Sequence, residues 1–363
     1  MDTQLLDLGM AVPQATAPAE YRGLTQDGVK LLILDHFART AENASVRDLP
    51  HFLRPGDMIV VNDSAMIGAR LHASCSAGEF VLHLAADLGP GLAMVERRGP
   101  AGEPDWTPFA AGDWIVLTDR EGRELSRGTV AGRFHPQSRL WLVNTQDPWY
   151  QVAAVSGSPV RYGYVGHPYP LSDYQSVFGC RPGSSEMPSA SRPFTLSLVA
   201  RLRRRGVEFG SLTLHTSLSS HEVATSWQEH PVIPEWFQVP ELTARRVNAT
   251  RRAGHSVIAL GTTVARALET CYDANKAAVA PRSGWTRHLI TPEHPPRAVT
   301  GLITGLHDNF TSHLALLYAF TGPDFLKAAY RDAASWGYLW HEFGDLCLIH
   351  SRYNNREEAL QAR

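Results

Sequence analysis

The chain has 363 residues, 44% hydrophobic and 19% charged, with 34 Lys and Arg against 36 Asp and Glu for a formal charge of −2. That much apolar material excludes wholesale disorder, and the length points to two domains. The charge balance excludes a broadly basic nucleic-acid coat, though not a local basic patch.

Cys75, Cys180, Cys271 and Cys347 are far apart and form no CxxC pair. They suit a reducing compartment and argue against a disulfide framework or a structural zinc site. The opening MDTQLLDLGM lacks a basic stretch followed by an apolar run, so no secretory signal is expected. The most apolar run, Leu314 to Phe320, is far short of the about 20 residues that span a bilayer. The expectation is a soluble cytoplasmic protein with no membrane partner.

In chain order, the first twenty residues, with Pro13 and Pro18 among alanines, read as a partly ordered arm. Apolar runs at Val29–Leu34 and Met58–Val61 predict strands, with Arg54-Pro55-Gly56-Asp57 as the turn before the second. From about His72 to Pro159 short runs (Phe80–Leu84, Leu92–Val95, Trp114–Leu117, Leu140–Val143) alternate with Gly, Pro and Asp turns, and no helical period is seen. That texture predicts a small antiparallel barrel or sandwich. Beyond Tyr169-Pro170 the period becomes helical at Leu198, Val199 and Leu202, stops at Gly206, and gives way to a strand through Leu212 and Leu214. Next come a helix through Ala244–Arg252, a strand at Ser256–Leu260, and a helix after Thr262 with Val264, Leu268 and Cys271 on one face. A strand near Leu302–Leu306, helices at about Ser312–Phe320 and Pro323–Ser335, and a last strand at Leu346–Ile349 complete the pattern. Such alternation predicts an α/β core with mainly parallel strands. Residues 1–71 and 160–363 would form that core, and 72–159 an inserted β domain.

Five places could carry chemistry. Asn62-Asp63 ends an apolar strand, where α/β folds bind ligands, and Arg70 could pair with that acid or with a substrate carboxylate. The alternative is an Asx-turn closing the strand with a structural ion pair. The loop from Pro182 to Thr195, containing Ser184 and Ser189, exposes backbone N–H groups and hydroxyls, or is a plain loop with Thr195 as N-cap. His215, His221-Glu222, and His230 with Glu235 offer acid–base groups; there is no HExxH, and no metal is expected. Gly261-Thr262-Thr263 opens a helix after a strand and could hold a carboxylate or phosphate, without any P-loop or dinucleotide pattern. His307, after Thr304, and Asp345, after Phe343-Gly344, sit at strand ends and could be catalytic or plain turn residues. The arginines at 201, 203, 204 and 205, and at 245, 246, 251 and 252, read as solvated helix faces and helix ends.

The order and spacing of these pieces resemble one family. Leu53-Arg54-Pro55-Gly56-Asp57 through Asn62-Asp63 to Ala69-Arg70-Leu71 is similar to the N-terminal motif of the S-adenosylmethionine:tRNA ribosyltransferase-isomerases of the queuosine pathway (QueA family). So are Asp173-Tyr174-Gln175-Ser176-Val177-Phe178, Gly183-Ser184 with Pro188, Thr213-Leu214-His215, and His230 with Glu235. Ile258 to Arg266 with Leu268-Glu269, Leu302-Ile303-Thr304 with His307, Ala319-Phe320 with Gly322, and Gly344-Asp345 continue the match collinearly from about residue 50 to 350.

The resemblance implies an α/β fold, a distorted barrel-like core with an inserted small antiparallel β-barrel. It implies S-adenosylmethionine as a ribosyl donor and the aminomethyl group of a 7-deazaguanine in tRNA as acceptor; the near-neutral charge points instead to a small-molecule acceptor of the same kind. Adenine and methionine leave, and no metal takes part. Asp63, His215, His230 and Glu235 are the implied acid–base set. Arg70, Tyr174, Gln175, Ser184, Ser189, Gly261, Thr262, Thr263, Arg266, His307 and Asp345 are the implied binding set. Alternatives are a lyase that cleaves S-adenosylmethionine without transfer, and a non-catalytic paralogue. The departures concentrate in one loop. The family's Gly-Ser-Val-Ala-Ala-Pro-Thr-Ala-Gly-Leu-His-Phe is Gly183 to Phe194 here, with Pro193 in place of the histidine and with Glu186 and Arg192 as new charges. The expected Met-His before Glu235 is Val232-Ile233, and the Asn-Phe before His307 is Gly305-Leu306.

Overall fold

Side chains along Lys30–Asp35 alternate between two hydrophobic clusters, Leu31 and Ile33 in one, Leu32 and Leu34 in the other. Successive residues of a strand face opposite ways, so this strand has protein on both sides. Met58–Asn62 behaves alike, with Met58 and Val60 in the first cluster and Ile59 and Val61 in the second. These strands belong to a nine-stranded sheet in a computed structural model that describes residues 6–136, 138–218 and 232–350.

From one edge to the other, the sheet runs Arg282–Thr286, Glu235–Val239, Glu208–Leu214, Met58–Asn62, Val257–Leu260, Gly301–Gly305, Leu346–His350, Lys30–Asp35 and Thr40–Ser45. Helices Glu241–Arg252, Thr262–Thr270, Ser312–Thr321 and Pro323–Ser335 supply the larger cluster, and Leu196–Arg204 packs into the other. The α/β expectation holds, with one correction. Four pairings are parallel, including the central three, and four are antiparallel. Runs buried on both faces look the same in sequence whichever way the strand points.

A six-stranded antiparallel barrel closes from Arg70–Cys75, Gly78–Gly89, Leu92–Arg98, Trp114–Thr118, Glu124–Arg133 and Leu140–Thr145. Leu71, Leu82, Val95, Ile115, Leu117, Val130 and Val143 fill it. A helix, Trp149–Ser156, follows the barrel where no helical period was expected; Trp149, Val152 and Ala153 bury its one apolar face on the barrel core. Eight residues are too few for that spacing to stand out from the surrounding strands. Leu6 and Leu8 are in the core, and Pro13 and Ala15 bond to the backbone of Trp340. Among the described residues, no helix is long and apolar enough to cross a membrane.

Candidate active site

The parallel strands Met58–Asn62, Val257–Leu260 and Gly301–Gly305 end on one edge of the sheet, and a cleft opens there. Asn62, Gly261, Thr262, Thr263, Thr304 and His307 line it from the strand ends. The loop bearing Glu186 and Ser189 lines it from above, and His341 with Glu342 closes its inner end. Gly261 has φ 97°, a left-handed conformation that side chains disfavour, and it caps the Thr262–Thr270 helix with no side-chain hydrogen bond. The first turn of that helix is thus left for a ligand acceptor group, which its dipole favours. His307 Nε2 bonds Thr304 Oγ1 at 2.8 Å, and its ring stacks on His313 at 4.8 Å. Desolvation first, then His313 and His341, push the His307 imidazole well below its ordinary value, so it is neutral at pH 7.

A second lobe shares Glu186, Thr216, Thr263 and His313 with the first. Its polar centre is Glu235, whose Oε1 accepts from Ser217 N at 2.9 Å and Ser217 Oγ at 3.1 Å, while Oε2 pairs with Arg266. Arg266 is further fixed by donating from Nε to the His288 carbonyl at 3.0 Å. A third cavity lies between barrel and sheet, lined by Arg70, His83, Glu96, Arg98, Arg161 and Glu186. Burial, reinforced by Arg98 and Arg70, pushes His83 down to about 3. Glu186 borders all three spaces.

Behind the first lobe stands a polar lattice. Asn62 Nδ2 donates to the Leu214 carbonyl at 2.8 Å, and its Oδ1 accepts from Leu214 N at 2.9 Å, locking two strand ends together. Asp63 Oδ1 accepts from Thr213 Oγ1 at 2.6 Å, and Arg181 lies 3.7 Å from Oδ2. Ser64 Oγ bridges Ser184 Oγ and His215 Nδ1, both at 2.7 Å, and Ser184 Oγ accepts from Thr216 N at 3.0 Å. The His215 ring lies on Trp236 and against Gly183, where a Cβ would come 2.5 Å from the imidazole. Burial holds His215 below its ordinary value, Asp63 opposing and Arg181 assisting.

Of the residues expected from sequence, Ser189, Gly261, Thr262, Thr263 and His307 line the first lobe, Glu235 and Arg266 the second, and Arg70 the third. Asp63, His215 and Ser184 stand one layer back in the lattice. Gln175 clamps Met66 through both backbone groups, at 2.8 and 3.1 Å, and Tyr174 is buried against Phe343. Asp345 accepts from Lys30 N and Leu339 N, both at 2.8 Å, and burial raises its carboxyl. His230, with His221 and Glu222, lies outside the described residues. Tyr162, His313, His341 and Glu342 line the cleft without having been singled out, and Glu186 had been seen only as a departure. Among the described residues, no group of three or more His, Cys, Asp or Glu is placed to hold a metal ion.

Comparison with known proteins matches most of the chain to one family. The family model described as "Queuosine biosynthesis protein" matches residues 11–349. A relative from Heliobacterium modesticaldum, named S-adenosylmethionine:tRNA ribosyltransferase-isomerase, is 32% identical over 92% of this chain and 95% of its own. One of the same name from Thermus thermophilus is 34% identical over 84% of this chain and 87% of its own. The crystal structure of S-adenosylmethionine tRNA ribosyltransferase from Thermotoga maritima superposes with a TM-score of 0.52 at 25% identity, covering 94% of this chain and 98% of that one. The chain is therefore a member of the queuosine biosynthesis protein family.

Proposed function

We propose that this protein is an S-adenosylmethionine-dependent ribosyltransferase-isomerase that moves the ribosyl unit of its donor onto the amine of a 7-deazaguanine. The observation that carries the reading is the family match over residues 11–349, with relatives bearing that activity in their names. tRNA is the acceptor in those names; the free base is the alternative that the net charge of −2 supports.

A sulfonium acidifies the adjacent C5′ hydrogens. A base takes one to leave an ylide, adenine departs with a proton from an acid, the C–S bond breaks toward sulfur, and methionine leaves. The acceptor amine gives up one proton as its nitrogen bonds to a ribosyl carbon, and the five transferred carbons rearrange to an epoxycyclopentanediol, so one proton is released per turnover along with adenine and methionine. In this reading His307, neutral and aligned by Thr304, is the base at the strand edge. The open helix start at Gly261–Thr263 takes the donor's carboxylate. Glu235, held by Ser217 and Arg266, supplies fixed polarity in the second lobe. Asp63 and His215 act as positioning residues, since the lattice they join sets Ser184 and, through it, Thr216.

The test is mass spectrometry of S-adenosylmethionine incubated with the protein, alone, with the free aminomethyl base, and with tRNA carrying it. Adenine and methionine release together with ribosyl carbons on the acceptor supports the proposal. Release without incorporation indicates a lyase, and no release under any condition refutes catalysis. Strong chelation should leave turnover unchanged; loss restored only by zinc contradicts the metal-free reading.

A further inference from the structure

Glu342 is 7% exposed at the inner end of the first lobe, and its Oε2 has no hydrogen-bond partner among the described residues. A buried carboxylate without a counter-charge is expensive, and proteins supply a partner or keep the acid protonated. Here a second acid, Glu186, lines the same lobe. Desolvation, then Glu186, push the Glu342 carboxyl up to about 8, opposed only by the backbone N–H of Tyr162. Among the described residues no Lys or Arg lines this lobe, and two of its three histidines, His307 and His341, are held below their ordinary values, chiefly by burial, with Asp308 opposing at His341.

The surrounding rings favour a positive guest. Tyr162 donates from Oη to Glu186 Oε1 at 3.2 Å, and its ring stacks on Tyr164 at 5.6 Å. His341 stands edge-on to Tyr162 at 4.5 Å, and its Nδ1 is 2.6 Å from Tyr164 Oη. His341 itself has φ 71°, a conformation that costs a non-glycine residue about 1 kcal/mol or more. Tyr162, Glu186, His341 and Glu342 thus contribute two acids and two aromatic rings to the lining of one lobe. Carboxylates and π faces both attract compact cations.

We propose that Glu342 and Glu186 form a recognition subsite for a small organic cation, a primary ammonium or a sulfonium, at the inner end of the cleft. The assignment rests on the proposed reaction, whose two substrates carry these two charges. Cation binding ionises Glu342, so it releases a proton near neutral pH.

Calorimetry on the full chain tests this with two probe pairs that differ in charge. S-adenosylmethionine against S-adenosylhomocysteine removes the sulfonium, and 7-aminomethyl-7-deazaguanine against 7-cyano-7-deazaguanine removes the ammonium. In the wild type, one cationic probe should bind about tenfold or more tighter than its neutral counterpart. Proton release should appear as a buffer-dependent heat. Glu342→Gln should erase that preference and the proton release while leaving the neutral probe within about twofold; Glu186→Gln is the second variant, should the first fail to fold. The pair that responds identifies the guest. If neither preference changes in either variant, the subsite is refuted, and the proposed reaction stands provided S-adenosylmethionine still binds. If S-adenosylmethionine does not bind the wild type, the reaction is refuted, and the deazaguanine pair still decides the subsite.

Discussion

Replacing Glu342 by Gln should stabilise the unliganded protein, and increasingly so as pH rises. The folded chain raises this carboxyl from its ordinary 4.5 to about 8, so the folded state binds the proton more tightly than the unfolded state does. Stability from that group is complete below about pH 4.5 and is withdrawn as pH climbs through about 8. At roughly 1.4 kcal/mol per tenfold difference in proton affinity, the withdrawal approaches an upper bound of about 5 kcal/mol by pH 9. Gln keeps the shape and cannot ionise, so it escapes this loss. Even half of the bound corresponds to about 3 °C in melting temperature for a chain of this size. Melting curves of both proteins between pH 5 and 9, without ligand, give the comparison. The gap should be small at pH 5 and widen steadily. A gap that is constant with pH, or a variant that melts lower at pH 9, would show that Glu342 is already compensated and would refute the reasoning.

Three further substitutions probe the scaffold. Glu269 accepts from the backbone N–H groups of Arg297, Ala298 and Val299 at 2.9, 2.8 and 3.2 Å; Glu269→Ala strands all three and should cost about 3 kcal/mol in denaturant titration. A loss under about 0.5 kcal/mol would contradict that role. Arg266→Met leaves Glu235 without its ion partner and should cost about 3–5 kcal/mol, much of it recovered in the Arg266→Met/Glu235→Gln double variant; strictly additive losses would mean the two are not coupled. Gly183→Ala places a methyl against the His215 ring and should lower the melting temperature by the equivalent of about 1–3 kcal/mol, an unchanged value showing that the ring is free to move.

The parts of this molecule legible in sequence are those in which neighbours along the chain act together. The apolar runs at Val29–Leu34 and Met58–Val61, and the turn-rich stretch beginning near His72, announced sheet and barrel because burial leaves a local pattern. Gly261-Thr262-Thr263 and His307 were legible as cleft residues because strand ends in α/β folds carry ligands. The lining at Glu342 was not. Tyr162, Glu186 and His341-Glu342 come from three separate loops and share no spacing, so only folding brings them together. Conversely, Tyr174, Gln175 and Asp345 were read as binding residues, whereas their described contacts are an aromatic packing, a clamp on Met66 and a turn bonded to Lys30. A motif reports that a residue matters and does not distinguish a ligand contact from a backbone pin.

The position of Leu346–His350 bears on how the protein is made. This strand is hydrogen-bonded between Gly301–Gly305 and Lys30–Asp35, so Lys30–Asp35 and Thr40–Ser45 join the rest of the large sheet only through it. On the ribosome, Lys30–Asp35 is synthesised more than 300 residues before this partner, whereas the barrel strands from Arg70 to Thr145 emerge consecutively and can pair at once. Until release, the first strand carries an unpaired edge, a surface prone to wrong association. A nascent chain stalled short of Leu346 should therefore hold a protease-resistant barrel beside an incomplete sheet, and a late frameshift should be as damaging as an early one.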